Sequence, residues 1–122
     1  MNMSSDKLKR LIRQFPREQE AIEAIEAFLD EVERHPNLVF TPERFLNKFS
    51  LSPSRETAQF LAALENLGVV HKIFRVESRA GGGIKDFDSI VEIPEIIHDF
   101  RTDTDVRVEP GDLTILYSLR SG

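Results

Sequence analysis

The stretch that most constrains the fold of this chain is residues 41–70, where the sequence predicts two short helices joined by a tight turn. Thr41 offers a capping hydroxyl, and Pro42 fits the first helical position because its missing N–H costs nothing there. A break at residues 50–52 separates two apolar lines of helical spacing. Gly68 ends the second helix, since glycine adopts the left-handed conformation without strain, and a strand follows directly. The apolar lines are Phe45, Leu46 and Phe49 in the first helix and Ala58, Leu61, Leu64 and Leu67 in the second.

Composition places the chain among globular proteins with one core. Its 122 residues are 40% apolar and 30% charged, which fits a single domain. Cysteine is absent, so disulfides, thiol catalysis and cysteine–zinc sites are excluded. No apolar run approaches the length needed to cross a bilayer, and residues 1–10 lack the apolar core of a signal peptide. We therefore expect a cytoplasmic protein without a membrane partner.

Charge is unevenly distributed along this acidic chain, whose formal net charge is −5. Residues 1–17 carry five basic and one acidic side chain, and residues 36–85 carry seven basic and four acidic ones. The other two blocks are acidic, with seven acidic residues in 18–35 and nine in 86–122. The predicted helix pair and the residues that follow it up to residue 85 are therefore basic when taken together, and the local field matters more than the total for a polyanionic partner.

Two further helices are predicted before the helix pair. Residues 5–15 form a short basic amphipathic helix that ends before Pro16, and residues 17–34 form a longer one with its glutamates toward water. The apolar side of the first helix suits packing on its own domain or on a second subunit, although such helices also bind membranes and nucleic acids. A short strand at residues 38–40 follows.

After Gly68 the pattern changes to the two-residue period of strands. Residues 69–77 predict a strand, residues 79–85 a flexible tip with three glycines, and residues 89–93 the returning strand of a hairpin. Residues 94–100 then predict a turn or a short helical piece. The last predicted strands are residues 104–109 and 113–119, separated by a turn at residues 110–112.

The run Leu51-Ser52-Pro53-Ser54-Arg55-Glu56-Thr57, followed by Leu61, Leu64, Gly68, Val69 and Val70, resembles the winged helix-turn-helix superfamily of bacterial transcription regulators. The resemblance covers about residues 17–93. It implies an α+β fold, a winged helix-turn-helix with N-terminal helices and an extra β-rich C-terminal extension, in one domain over residues 1–122. The implied parts are N-terminal helices 1–35, helix-turn-helix 38–70, wing 71–93 and β extension 94–122.

Two features depart from that family pattern. Gln59 and Phe60 stand where such regulators tend to carry basic side chains, and Glu56 and Glu65 lie on the same helix. An exposed Phe60 would mark a protein contact, whereas a buried Phe60 would belong to the core. The extension resembles the zinc-ribbon-like additions of some winged helices without their cysteines. Its apolar residues would be Ile93, Ile96, Ile97, Phe100, Val106, Val108, Leu113, Ile115 and Leu116.

Two non-enzymatic functions follow from this pattern. The first is a DNA-binding regulator that contacts double-stranded DNA, with the basic N-terminal helix supporting dimerisation or a further backbone contact. Its major-groove residues would be Ser54, Arg55, Thr57 and Gln59. Its phosphate or minor-groove contacts would be Lys72, Arg75, Arg79 and Lys85, although these same cations would also serve merely to solubilise a hairpin. The alternative is a protein–protein adaptor, such as an accessory subunit of a larger prokaryotic complex, with Phe60 at the contact.

Catalytic and cofactor sites are not expected. His98, Asp99, Asp103 and Asp105 form a metal-like cluster, but their spacing lacks the glycine and terminal glutamate of a calcium loop, so a surface turn is the better interpretation. No arrangement of nucleophile, base and oxyanion donor is recognisable. We therefore expect no enzyme, no metal and no cofactor.

Overall fold

The computed structural model describes residues 3–35 and 38–120, with side chains from residue 6 onward. The fold is mixed α+β. Its α-helices are α1 (Met3–Gln14), α2 (Gln19–Arg34), α3 (Pro42–Lys48) and α4 (Arg55–Asn66). Its strands are β1 (Val39–Phe40), β2 (Val70–Glu77), β3 (Gly83–Phe87), β4 (Ile96–Asp99), β5 (Thr104–Arg107) and β6 (Leu113–Leu119). One sheet has the order β1-β6-β2-β3, and a second consists of β4 and β5.

The chain forms two compact units. The first comprises Met1–His71 together with Tyr117–Gly122, and the second comprises Lys72–Leu116. The first unit holds the four helices and most of the apolar core. The second holds β3, β4 and β5, together with most of β2 and the start of β6.

The core of the first unit is built from the apolar faces of its helices. Leu8 and Leu11 of α1 are 0% and 4% exposed and belong to the same cluster as Ile22, Ile25 and Phe45. The amphipathic face of α1 therefore packs within its own chain. Aromatic rings reinforce the cluster, with the centroids of Phe45 and Phe49 4.9 Å apart.

The helix boundaries predicted around the helix pair are confirmed. The Thr41 hydroxyl accepts a hydrogen bond from the backbone N–H of Arg44 at 3.3 Å and caps α3. Ser54 caps α4 in the same way. After α4, Gly68 has a φ of 77°, the left-handed conformation that glycine adopts at a helix end.

The returning strand of the hairpin is not where the sequence pattern placed it. The prediction of a strand at residues 89–93 is wrong, because β3 starts already at Gly83, and Ile90–Glu92 forms a 3₁₀ turn. The physical reason lies in Gly81 and Gly82, whose φ angles of 101° and 85° reverse the chain at once. Register pairs Phe74 with Phe87, with an irregularity between Val76 and Glu77.

The predicted turn or helical piece at residues 94–100 is also wrong, because it contains strand β4. Two adjacent isoleucines, Ile96 and Ile97, favour an extended backbone and pair with Arg107 and Val106 of β5. Because β5 pairs with β4, the last two predicted strands, residues 104–109 and 113–119, do not pair with each other.

Strand β6 instead lies in the four-stranded sheet between β1 and β2. Within the first unit, Val39 pairs with Ser118 and Phe40 with Tyr117. The expected apolar core of the extension is correspondingly incomplete. Its exposed members are Ile96 (55%), Phe100 (79%) and Ile115 (41%). Among the described residues, no helix combines the length and apolar character needed to cross a membrane.

Candidate nucleic-acid interface

Helix α4 turns one face to the core and the opposite face to solvent. Thr57, Phe60 and Leu64 are buried, and their three- and four-residue spacing places them on one side of the helix. The exposed face lies about half a turn away. Its residues are Arg55, Ala58, Gln59, Ala62 and Asn66. This face thus carries one cation, two amides and two small side chains.

Phe60 lies in the core and marks no protein contact. Its side chain is 0% exposed, and its ring meets that of Phe15 edge to face at a centroid distance of 5.6 Å. The hypothesis that Phe60 forms an exposed contact of an adaptor is therefore wrong. The physical reason is its position one turn after Thr57 and one turn before Leu64, on the buried line of α4.

Thr57 and Ser54 serve the structure of the helix start. Thr57 is 4% exposed, and its hydroxyl donates a hydrogen bond to the carbonyl of Ser52 at 2.6 Å. The Ser54 hydroxyl accepts from the backbone N–H of Thr57 at 3.1 Å. Thr57 is therefore wrongly placed among the base-contacting residues, because its side chain points inward. Arg55 and Gln59 are exposed and stay candidates.

The two glutamates of α4 lie on the flanks of its exposed face. Glu56 is next to the turn after α1, where Nη1 of Arg17 lies 3.6 Å from its Oε1. Glu65 lies on the other flank and is half-buried. The sequence alone suggested that both acids oppose a polyanion at this helix. In the structure Glu56 is 59% exposed and has Arg17 beside it, whereas Glu65 is half-buried.

A shallow cleft of about 340 Å³ separates the turn after α1 from the start of α4. Its lining residues are Gln14, Phe15, Pro16, Arg17, Glu18, Glu56 and Gln59. Neither Gln14 nor Arg17 is among the residues predicted from the sequence. The signal that could have found Arg17 is the basic block of residues 1–17, whose last cation it is.

Two of the four predicted wing cations are held by carboxylates in the second unit. Arg75 donates from Nε and Nη2 to the two carboxylate oxygens of Asp86, at 2.7 and 3.0 Å. Arg79 donates to both carboxylate oxygens of Asp112, at 3.3 and 3.2 Å. The hydrogen bond from Arg79 holds the pKa of Asp112 below its usual range. Both arginines thus carry neutralising partners.

The other two wing cations are lysines in different settings. Lys72 is half-buried, whereas Lys85 is exposed with its Nζ 5.4 Å from the ring centroid of Phe87.

The tip between β2 and β3 is also less free than predicted. The carbonyl of Gly82 accepts from the N–H of Ser78 at 2.8 Å, and that of Gly83 accepts from Nη1 of Arg101 at 2.8 Å.

The predicted metal-like cluster forms a histidine clasp on the β4–β5 hairpin. Nδ1 of His98 lies 2.9 Å from a carboxylate oxygen of Asp105, and Nε2 lies 3.2 Å from one of Asp103. Because carboxylates only accept, the protonated imidazolium satisfies both contacts, and Asp105 first and Asp103 next raise the pKa of His98. No group of residues in the described part of the chain has the arrangement of a metal site.

Asp99, the fourth member of that predicted cluster, points to the other side of the hairpin. It is 1% exposed and accepts a hydrogen bond from the Ser78 hydroxyl at 2.6 Å and another from the N–H of Arg101 at 2.9 Å. The hydrogen bond from Ser78 is the main reason that its pKa is lowered. Asp99 therefore joins the two hairpins of the second unit.

Comparison of the chain with protein-family models, with curated proteins and with solved structures found no match in any of the three.

Proposed function

We propose that this chain is a non-enzymatic DNA-binding module of the winged-helix type, a regulator of transcription whose helix α4 enters the major groove. The observation that carries the proposal is the composition of the exposed face of α4. All residues of this helix are described. Its exposed face holds Arg55, Gln59 and Asn66, and Glu56, which is also exposed, lies at the flank beside Arg17.

These side chains match the chemistry of base edges in the major groove. An arginine donates two hydrogen bonds to the O6 and N7 atoms of guanine, and glutamine or asparagine pairs with N6 and N7 of adenine. Ala58 and Ala62 lie between the polar residues on the same face. Their methyl groups allow close approach of the helix and provide apolar contact for the methyl group of thymine.

The neighbourhood of Glu56 also favours this function. A glutamate at the start of α4 would repel phosphate, yet Arg17 lies 3.6 Å from its carboxylate and compensates the charge locally. The helix pair, its caps and the following β2–β3 hairpin have the order of elements that the sequence resemblance implies.

The test is fluorescence anisotropy with a labelled random-sequence duplex at low salt, comparing two substitutions that add the same charge. Ala62→Glu places a carboxylate in the centre of the proposed interface. Ala27→Glu places one on the exposed side of α2 and is the matched control. We expect Ala62→Glu to weaken binding at least tenfold and Ala27→Glu to weaken it much less, because only the first carboxylate faces phosphate.

Circular dichroism of both variants checks that they are folded. Equal losses for Ala62→Glu and Ala27→Glu would show that general charge, and not the face of α4, governs binding. Absence of binding by the unchanged protein at low salt would reject the DNA-binding function.

A protein–protein adaptor is the second candidate, and a different observation now favours it. The second unit exposes several large apolar side chains. They are Ile90 (60%), Val91 (91%), Ile96 (55%) and Phe100 (79%). Exposed apolar groups of this size are typical of contact sites. A partner complex that is lost in Phe100→Ser while duplex binding is unchanged would support this function.

A further inference from the structure

We propose that the surface contacting DNA phosphates lies on α1 and the turn after it, and not on the β2–β3 hairpin. This inference rests on the proposed DNA-binding function and assigns its electrostatic part to residues of the first unit. Four cations define the surface, called here the basic ridge. They are Lys9, Arg10, Arg13 and Arg17.

The basic ridge is exposed and largely unpaired. Lys9, Arg10 and Arg13 are all exposed, and among the described residues none of these three has an ion-pair partner. Arg17 has a side-chain exposure of 82%, and its one ion pair within the described part of the chain is the 3.6 Å contact with Glu56. The acidic side chain within the same stretch is Asp6, in the first turn of α1. Exposed cations of this kind are available to release counterions from DNA.

The basic ridge leads to the exposed face of α4 through the cleft described above. Arg10 precedes Gln14 by four residues, so the two side chains lie on the same side of α1. Gln14 and Arg17 line the cleft together with Gln59, which belongs to the exposed face of α4. Cations on α1 and base-contacting residues on α4 are thus arranged along one continuous part of the first unit.

Burial of the apolar side of α1 distinguishes duplex DNA from a membrane as the polyanion. Leu8 and Leu11 are 0% and 4% exposed in the core, so from residue 6 onward the helix has no free apolar face to insert among lipids. The cations Lys9, Arg10 and Arg13 stay exposed on α1. Their charges can neutralise the phosphates of DNA, and this neutralisation needs no apolar contact.

Acidic residues of α2 limit the basic ridge on one side. Glu20 and Glu23 line a separate hollow with Arg17, so acidic side chains border the basic ridge beyond this arginine. DNA is therefore expected to approach from the side of Arg10 and Arg13. The β2–β3 hairpin offers less unpaired positive charge, because carboxylates neutralise its two arginines. Asp86 pairs with Arg75, and Asp112 pairs with Arg79.

The test is the salt dependence of duplex binding by the full chain, measured by anisotropy with the same labelled random-sequence duplex. The double variant Arg10→Gln/Arg13→Gln removes two charges from the basic ridge. The matched control Arg34→Gln/Arg120→Gln removes two exposed arginine charges elsewhere in the first unit. If each ridge arginine neutralises one phosphate, the slope of log K against log salt becomes shallower by about 1.8 in the first variant and is unchanged in the control.

Four results would overturn the inference. An unchanged slope in the ridge variant, with binding still lost in Ala62→Glu, would place the phosphate contacts elsewhere and leave the proposed function intact. Equal slopes in the ridge variant and its control would reduce the effect to net charge. If the ridge variant lost binding to phosphatidylserine vesicles while its duplex binding stayed unaffected, the basic ridge would be assigned to lipid headgroups. Failure of the unchanged protein to bind the duplex would reject both proposals together.

Discussion

Arg17 and Glu56 join the turn after α1 to the first turn of α4, with 3.6 Å between Nη1 and Oε1. Their side chains are 82% and 59% exposed, so this ion pair adds little to folding stability. Its importance is electrostatic. It sets a cation against a carboxylate that lines the cleft beside the proposed phosphate-contacting surface, so removing the charge of Glu56 should affect DNA affinity more than stability.

Replacing Glu56 by glutamine tests this relationship. Glu56→Gln removes a negative charge beside the exposed face of α4 and releases Arg17 for a phosphate, so duplex affinity should rise. We expect a factor of about 2 to 5, the size of one exposed charge interaction. The measurement is anisotropy at low salt. Glu33→Gln, at an exposed position of α2, is the control and should change affinity less. Weaker binding by Glu56→Gln would contradict the proposed interface.

Burial of Phe60 predicts a large cost for its truncation. Phe60→Ala removes a fully buried ring and its contact with Phe15, so the free energy of unfolding should fall by about 3–5 kcal/mol. Urea denaturation followed by circular dichroism measures this change. Phe100→Ala is the matched control, because its ring is 79% exposed and its removal should cost far less. A small cost at Phe60 would place its ring outside the core.

The backbone at Gly68 predicts a cost that does not come from crowding. Its φ is 77°, and an added Cβ would meet no atom within 4 Å. Gly68→Ala should therefore destabilise by about 1–2 kcal/mol through left-handed strain alone. Gly111→Ala also meets no atom within 4 Å and needs no positive φ. Thermal unfolding should separate the two, and equal midpoints would show that strain at Gly68 is absent.

Asp99 predicts a stability change in acid. Hydrogen bonds from Ser78 and Arg101 lower its pKa in the folded state below the ordinary 3.8. A lowered pKa stabilises the fold above the unfolded value, and this contribution is lost as pH falls through the folded value. Asp99→Asn should thus be less stable than the unchanged protein near neutrality, with the difference shrinking in acid. The measurement is thermal unfolding across this pH range, with Asp30→Asn, on the exposed side of α2, as the control for loss of a carboxylate.

The helices were predictable from sequence because their signals are local. Thr41 and Ser54 cap the helices that directly follow them, and Gly68 supplies the left-handed end. The strand pairing was not predictable in this way. Nothing near residues 113–119 specifies that β6 pairs with β1, about 75 residues earlier, because such pairing depends on contacts distant in sequence.

The candidate site likewise has features that the sequence predicts and features that depend on contacts distant in the sequence. The buried line of α4 was predicted only in part. The helical period indicates Ala58, Leu61, Leu64 and Leu67, whereas the structure buries Leu64 together with Thr57 and Phe60 and exposes Ala58. The partners of Arg75 and Arg79 were not visible in the sequence, because Asp86 and Asp112 reach them only after the strands fold back. A count of charges along the sequence does not show that these arginines have carboxylate partners. The contribution of Arg17 likewise depends on how the turn after α1 meets α4.

His98 predicts a titration that its two carboxylate partners control unequally. Asp105, 2.9 Å away, is the larger cause of the raised pKa of His98, and Asp103, 3.2 Å away, is the smaller one. A raised pKa means that the clasp stabilises the fold fully below the unfolded value of about 6.5, and that this contribution is lost as pH rises through the folded value. NMR titration of the ring protons should show the pKa of His98 falling more in Asp105→Asn than in Asp103→Asn. The reverse order, or no change in either variant, would contradict the clasp as the cause.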